Sequence, residues 1–365
     1  MLNTEALQEL LDFKSTDPVL SVYLDTDLTK GNFNRFQLDL RRLLRGVEMA
    51  ADEKAILEYY SRDRRWSGKS LAMFSCAPEG FFRAYPFSVP VRSLAFAGGQ
   101  PYVKPLVDLM DAHGDYAAVL VDKQKAWLFL SHLGDIEEHD GFTGRAVKHV
   151  KRGGASSFPG RRGGVAGRTG HAEEIVNQNL KEAAQAAVRW FEQQRVRRVL
   201  LGGTEESVQQ FKAALPKAWQ TAVIGTFALG MRAGTDDVRK KIREVGDRAS
   251  LAREAALVSR MITASAKGGA GVAELEDTLR ALREGRIQVL LISEGFQAPG
   301  FRCKGCGYLT TKQLGSCPFC GNEFAPIDDA VELAVREAMK AGGEIEIVRK
   351  NPDLERLKIG AILRF

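Results

Sequence analysis

Apolar residues along this chain recur in two rhythms, short helical stripes spaced by three or four and nearly continuous short runs, and the two alternate almost from end to end. Leu7–Phe13 reads as a helix and Pro18–Leu24 as a strand, closed by the polar Asp25-Thr26-Asp27. Between Phe36 and Val47, Leu38, Leu40, Leu43 and Leu44 take one side of a helix and Arg41, Arg42 and Arg45 the other. Strands follow at Ser70–Phe74 and Phe81–Val89, and the pattern breaks at Gly98-Gly99-Gln100-Pro101, the expected first domain boundary. Tyr116–Val121 and Ala126–Leu130 flank the turn Asp122–Lys125 as a hairpin, with a third strand near residues 134–139. A long helix is expected over Ala172–Gln194, its stripe formed by Ile175, Val176, Leu180, Ala183, Ala184, Ala187, Val188 and Phe191, with Thr169 as N-cap. Strand (Arg198–Leu201), helix (Glu205–Ala214), strand (Ala222–Phe227) and a charged helix (Thr235–Ala266) complete that unit. Past Gly268-Gly269-Ala270-Gly271 come a helix (Val272–Glu284), a strand (Gln288–Ile292), a cysteine-bearing insert, a helix (Asp328–Ala341) and strands at Glu344–Val348 and Ile359–Phe365. This order implies three α/β domains, 1–100, 101–267 and 268–365, the second built on a mixed sheet and the last an α/β/α sandwich.

Composition is that of an ordinary folded protein, 44% apolar and 8% aromatic, and charge is where the chain departs from the ordinary. Arg145 to Arg168 holds seven lysines and arginines and no acid, more than the whole net charge of +6, so the remainder is close to neutral. Its glycines and mutually repelling cations cannot pack a core, and a protruding loop over 145–170 is expected. Such a loop suits a phosphate-rich partner, RNA above all, the plain alternative being a solvated basic connection. Lys148, Lys151, Arg152, Arg161, Arg162 and Arg168 are the candidate phosphate contacts, and Gly163 and Gly164 permit close backbone approach. No signal peptide opens the sequence, and no apolar run nears the roughly 20 residues of a membrane helix. A cytoplasmic protein with no membrane partner is expected.

Cys303-Lys304-Gly305-Cys306 and Cys317-Pro318-Phe319-Cys320 form two C-x2-C knuckles within 300–325, each followed by a glycine, Gly307 or Gly321. Four thiolates at this spacing point to a structural zinc site with no open coordination position. A redox pair would need no second copy, and a reducing compartment disfavours disulfides. Cys76 is expected in the core. The five histidines, His113, His132, His139, His149 and His171, read as polar surface residues, Gly202-Gly203-Thr204 as a plain strand-to-helix turn, and Lys30–Arg35 as either an RNA contact or a solvated connection.

A hairpin-led α/β domain, a basic Arg162-Gly163-Gly164 segment before a long helix, and a zinc-bearing α/β domain together resemble the archaeal and eukaryotic class-1 peptide-chain release factors and Pelota, most closely their bacterial homologues. Leu200–Gly203, Val223–Thr226, the helix before Val289-Leu290-Leu291, and Pro18–Leu24 support the resemblance. It covers all three segments and implies a last domain like ribosomal protein L7Ae. It also implies ribosome binding through ribosomal RNA or tRNA, and a translational GTPase facing the C-terminal domain. In the release factors this loop ends in Gly-Gly-Gln and enters the peptidyl-transferase centre. Here the glutamine position falls on Val165, which has no hydrogen-bonding side chain, so no catalytic residue is assigned and rescue or hibernation is expected over termination. Stimulated peptidyl-tRNA hydrolysis, and RNA binding away from the ribosome, are the alternatives. Gly98-Gly99-Gln100 spells the tripeptide but lacks basic neighbours and reads as a chance match.

Overall fold

The computed structural model describes residues 4–62, 68–112, 116–133, 135–147, 166–194 and 196–365. They form two compact units, Gly114–Ser250 and a discontinuous one made of Met1–His113 with Leu251–Phe365.

The N-terminal stretch of the discontinuous unit runs α1 (Thr4–Asp12), β1 (Val19–Asp25), α2 (Phe33–Leu43), α3 (Ala50–Arg62), β2 (Ser70–Cys76), β3 (Phe81–Phe87), β4 (Leu94–Gly98) and α4 (Lys104–Ala112). Its strands make an antiparallel sheet in the order β3-β2-β1-β4. Alternation along β1 sends Leu20, Val22 and Leu24 toward Phe36, Leu40 and Leu44 of the α2 segment and Ile56 and Tyr60 of α3. Leu38 departs from the expected stripe and is 54% exposed, because two residues turn a helix by roughly 200° and place it opposite Phe36 and Leu40. Helix α2 starts earlier than its leucines suggest because Asn32 caps it, accepting from the Arg35 N–H at 3.0 Å. Elements α3, β4 and α4 have no counterpart among those expected from the sequence. Cys76 lies in the core, as expected.

The Gly114–Ser250 unit comprises β5 (Tyr116–Val121), β6 (Lys125–His132), β7 (Asp135–Thr143), α5 (Ala166–Gln193), β8 (Val199–Gly203), α6 (Glu205–Ala214), α7 (Lys217–Ala222), β9 (Val223–Ala228) and the start of α8 (Thr235–Ala266). The sheet is mixed, in the order β7-β6-β5-β8-β9, antiparallel through the hairpin and parallel across β5, β8 and β9. Ala117, Val119 and Val121 face α5 and α6, whereas Ala118 and Leu120 face Val238 and Ile242 of α8, so each β5 face is covered by helices. Helix α5 begins at Ala166, so Thr169 is internal to the helix and not its N-cap.

Beyond this the chain adds β10 (Gly271–Ala273), α9 (Leu275–Arg283), β11 (Ile287–Ser293), β12 (Gly300–Cys303), β13 (Leu309–Thr310), β14 (Phe324–Ile327), α10 (Ala330–Lys340), β15 (Glu344–Val348), α11 (Pro352–Leu357) and β16 (Ile359–Leu363). The sheet order is β10-β16-β11-β15. Leu290 and Ile292 face α9 and α10, while Val289 and Leu291 face Val258 and Met261 of α8 and Leu354 of α11, giving the expected α/β/α sandwich. Val272, expected to open a helix, pairs with Ala361 in β10, and the chain turns into α9 only after Glu274, whose φ is +69°.

Within this unit a buried ionic cluster joins the segment after β4 to α10. The Arg336 guanidinium, 1% exposed, donates to the carbonyls of Leu11 (2.8 Å), Leu10 (3.2 Å) and Pro101 and lies 3.8 Å from the Glu332 carboxylate. Glu332 accepts from the N–H groups of Val103 (3.0 Å) and Lys104 (2.8 Å). Burial pushes its carboxyl up to about 7, against the opposing pull of Arg336 and the two N–H groups. A carboxyl raised in the folded state holds its proton longer there than in the unfolded chain. Its contribution is therefore greatest below the unfolded value and is lost as pH rises toward 7. In urea titrations at a series of pH values, the stability of Glu332→Gln relative to the parent should rise by about 3 kcal/mol between pH 5 and pH 8. A pH-independent difference would contradict the assignment.

Candidate functional site

Two features carry the chemistry expected from the sequence, the cysteine quartet and the root of the basic segment. The quartet belongs to the insert built on the three-stranded sheet β13-β12-β14, with Cys303 at the end of β12 and the other three cysteines in the connections on either side of β13. Cys303 and Cys317 are buried, Cys306 is half-buried and Cys320 exposed, and the four Sγ atoms lie within 4.8 Å of one another. The two knuckles repeat one geometry. Gly307 N–H donates to the Cys303 carbonyl (3.0 Å) and Gly321 N–H to the Cys317 carbonyl (2.8 Å), and both glycines take positive φ, +75° and +76°.

Metal–sulfur bonds of about 2.3 Å in a tetrahedron put sulfurs about 3.8 Å apart. Cys303 and Cys320 are separated by 3.3 Å and Cys306 and Cys317 by 3.6 Å, so the quartet fits a zinc-sized ion. The Asn322 amide, donating to the Cys320 sulfur at 3.4 Å, draws that thiol down to about 6, whereas Cys306, against the pull of the Tyr308 N–H, is pushed up to about 11 by burial and the neighbouring sulfurs. Four cysteines would hold the ion and leave no position for substrate, so it would supply structure and not chemistry. Glu276 of α9 anchors the insert, accepting from the Thr310 hydroxyl (3.1 Å) and the Thr311 N–H. Those hydrogen bonds outweigh burial and keep the Glu276 carboxyl below its ordinary value. Among the described residues no other His, Cys, Asp or Glu group has metal-holding spacing.

Of the candidate RNA contacts, Lys148, Lys151, Arg152, Arg161, Arg162, Gly163 and Gly164 lie outside the described residues, as does Val165. Arg168 belongs to the first turns of α5. What the structure does describe is the point from which the segment departs. Gly144 N–H donates to the Gln124 carbonyl (2.8 Å), and Asn179 of α5, 1% exposed, grips Arg145. Its Oδ1 accepts from the Arg145 N–H (2.8 Å), and its Nδ2 donates to the carbonyls of Arg145 (2.9 Å) and Lys123 (3.2 Å). Asn179 is not among the residues expected from the sequence to form a site. Its signal was a polar residue among the inward positions Val176, Leu180 and Ala183.

The other motifs resolve into structure. Gly98-Gly99-Gln100 ends β4 beside the Arg336 cluster, and Gln100 lines a cavity of about 450 Å³ with Arg302, Asp329 and Arg336. Gly202-Gly203-Thr204 is a strand-to-helix turn in which Thr204 caps α6 through the Ser207 N–H (3.2 Å). In Lys30–Arg35 the Arg35 guanidinium donates to the Lys30 carbonyl (2.6 Å) and Asn32 caps α2, as in a folded connection. The His139 ring lies against Trp190, centroids 5.2 Å apart, and exposed His171 sits 4.0 Å from Glu174. His113 and His149 fall outside the described residues. No helix among the described residues is long and apolar enough to cross a membrane.

Residues 101–247, the span that contains the mixed sheet and the loop root, match the model of bacterial archaeo-eukaryotic release factor family 10. Peptide chain release factor subunit 1 of Pyrococcus abyssi is 23% identical over 308 residues, covering 76% of this chain and 72% of the relative. The corresponding Thermococcus kodakarensis protein is 23% identical over 304 residues, with the same coverage of both chains. The chain is similar to the class-1 release factors, and its residues 101–247 to their bacterial counterparts. Among solved structures, an archaeal translation termination factor is 15% identical over 99% of this chain and 96% of its own, with a TM-score of 0.27. Archaeoglobus fulgidus Pelota is 13% identical over 100% of this chain and 92% of its own, with a TM-score of 0.31. The relationship therefore rests on the sequence matches. Those matches are to release-factor-type translation factors.

Proposed function

We propose that this release-factor homologue binds the ribosome, with residues 145–168 directed to ribosomal RNA near the peptidyl-transferase centre, and that it serves rescue or hibernation in preference to termination. The observation that supports this reading most is the pairing of a release-factor-type mixed sheet with a segment of seven cations and no acid, rooted between β7 and α5. Segments 1–100, 101–267 and 268–365 would then act as the family's three domains in a vacant A site. The C-terminal one would face a translational GTPase. Val165 at the glutamine position argues against peptide release, because its side chain can neither donate nor accept a hydrogen bond at the ester. The zinc of the cysteine quartet would hold the insert in shape.

Co-sedimentation with 70S ribosomes tests this. The wild-type chain should pellet at moderate salt, and Arg161→Glu with Arg162→Glu should weaken binding by about a hundredfold or more, since each phosphate contact contributes to a steep salt dependence. Gln100→Ala serves as the control and should bind as the wild type does. No pelleting of the wild type at any salt would overturn the reading.

A further inference from the structure

The root of the basic segment is more constrained than an ordinary loop exit. Chain leaving an antiparallel edge strand normally frays within a residue or two, because its N–H and C=O groups face water. Here the grip continues past the end of β7 at Thr143. Gly144 is tied to the Gln124 carbonyl and Arg145 to a buried side chain, and Val147 packs against the core of the unit.

Asn179 makes this grip by posing as a strand. Its amide accepts from the N–H and donates to the C=O of the same residue, Arg145, as a paired β-residue would, and its second proton goes to Lys123. Both amide protons and the carbonyl are thus used within a site that excludes water. Gly144 is fitted to it, since a Cβ there would lie 2.3 Å from Asn179 Oδ1 and 2.5 Å from its Cγ. The Arg145 side chain remains exposed. The two ends of the basic segment are consequently fixed on one helix: Arg145 at the level of Asn179, and Ala166 at the helix start, about 20 Å away along the axis.

We infer that Asn179 and Gly144 form a clip that sets where and in what direction the cationic segment leaves the sheet, which makes Asn179 a positioning residue for RNA binding. This rests on the function proposed above. A chain held at its root has less conformational entropy to lose on binding. Removing the clip should therefore reduce affinity without removing any phosphate contact.

Three linked measurements test it. In amide hydrogen exchange of the full chain, Arg145 N–H should be protected in the wild type and exchange fast in Asn179→Ala, with β8 amides unaffected. Asn179→Ala and Gly144→Ala should each weaken 70S binding by about tenfold. Val176→Ala, a core truncation on the same helix, should leave binding unchanged at a similar loss of melting temperature. In the Arg161→Glu, Arg162→Glu background, where the contribution of the segment to binding is largely lost, most of the Asn179→Ala effect should vanish. Equal weakening by Val176→Ala, or an Asn179→Ala effect of full size in the Arg161→Glu, Arg162→Glu background, would reduce Asn179 to a stabilising residue and overturn the inference. If the wild type fails to bind ribosomes the proposed function falls, and the exchange arm still decides the clip, since a fast Arg145 amide in the wild type would overturn it.

Discussion

Chelation of the metal should unfold residues 300–327 while the α/β/α sandwich around them stays folded. The three strands of the insert are two to four residues long, and its core is three buried residues, Cys303, Tyr308 and Cys317, two of them from the cysteine quartet. So small a core cannot offset the entropy of ordering the insert, about 1–2 kcal/mol per residue. A structural zinc supplies about 10–16 kcal/mol in apparent terms. Native mass spectrometry should show one zinc per chain, removed by chelator. Amides of the insert should then exchange rapidly while those of β11 and β16 remain slow. Cys317→Ser should give the same pattern. A native protein without metal, or an insert that stays protected after chelation, would contradict the assignment.

The second large effect is expected at Arg336. Replacing it with alanine leaves the Leu10, Leu11 and Pro101 carbonyls without their donor and Glu332 without its countercharge, all in a buried setting. Breaking a buried ion pair from one side costs about 3–5 kcal/mol. For a unit of this size that lowers the melting temperature by about 10 °C. Glu332 should respond by taking up a proton, so the loss is smaller at acid pH than at neutral pH. Calorimetry at two pH values checks both statements, and a melting temperature unchanged at either would show that the cluster contributes little.

Legibility from sequence followed the physics of each element. Strands buried on both faces, such as β5, β8 and β11, were plain as continuous apolar runs, and α5 was plain from its stripe. Helix α3 was hidden because its inward face is Asp52, Ile56 and Tyr60, and a carboxylate at the first of these positions breaks the apolar period. Asp52 can be buried because it accepts from the Ser75 hydroxyl (2.6 Å) and the Ala77 N–H (2.7 Å), partners no local pattern announces. Strand β4 was missed as a half-buried edge, and β12 to β14 as strands too short to show an alternation. The clustering of the four cysteines was fully legible, since cysteines at knuckle spacing have few other uses. The clip was not legible, because it joins Lys123, Gly144 and Asn179 across a sheet and a helix, and its one local sign was an asparagine in an apolar stripe.

The most direct test of the central claim is quantitative binding of the wild-type chain and of Arg161→Glu with Arg162→Glu to 70S ribosomes across a salt series. Wild-type binding should be saturable and fall steeply with salt, and binding by the variant should be weaker and less salt-dependent. Equal binding and equal salt slopes for the two proteins would contradict that claim.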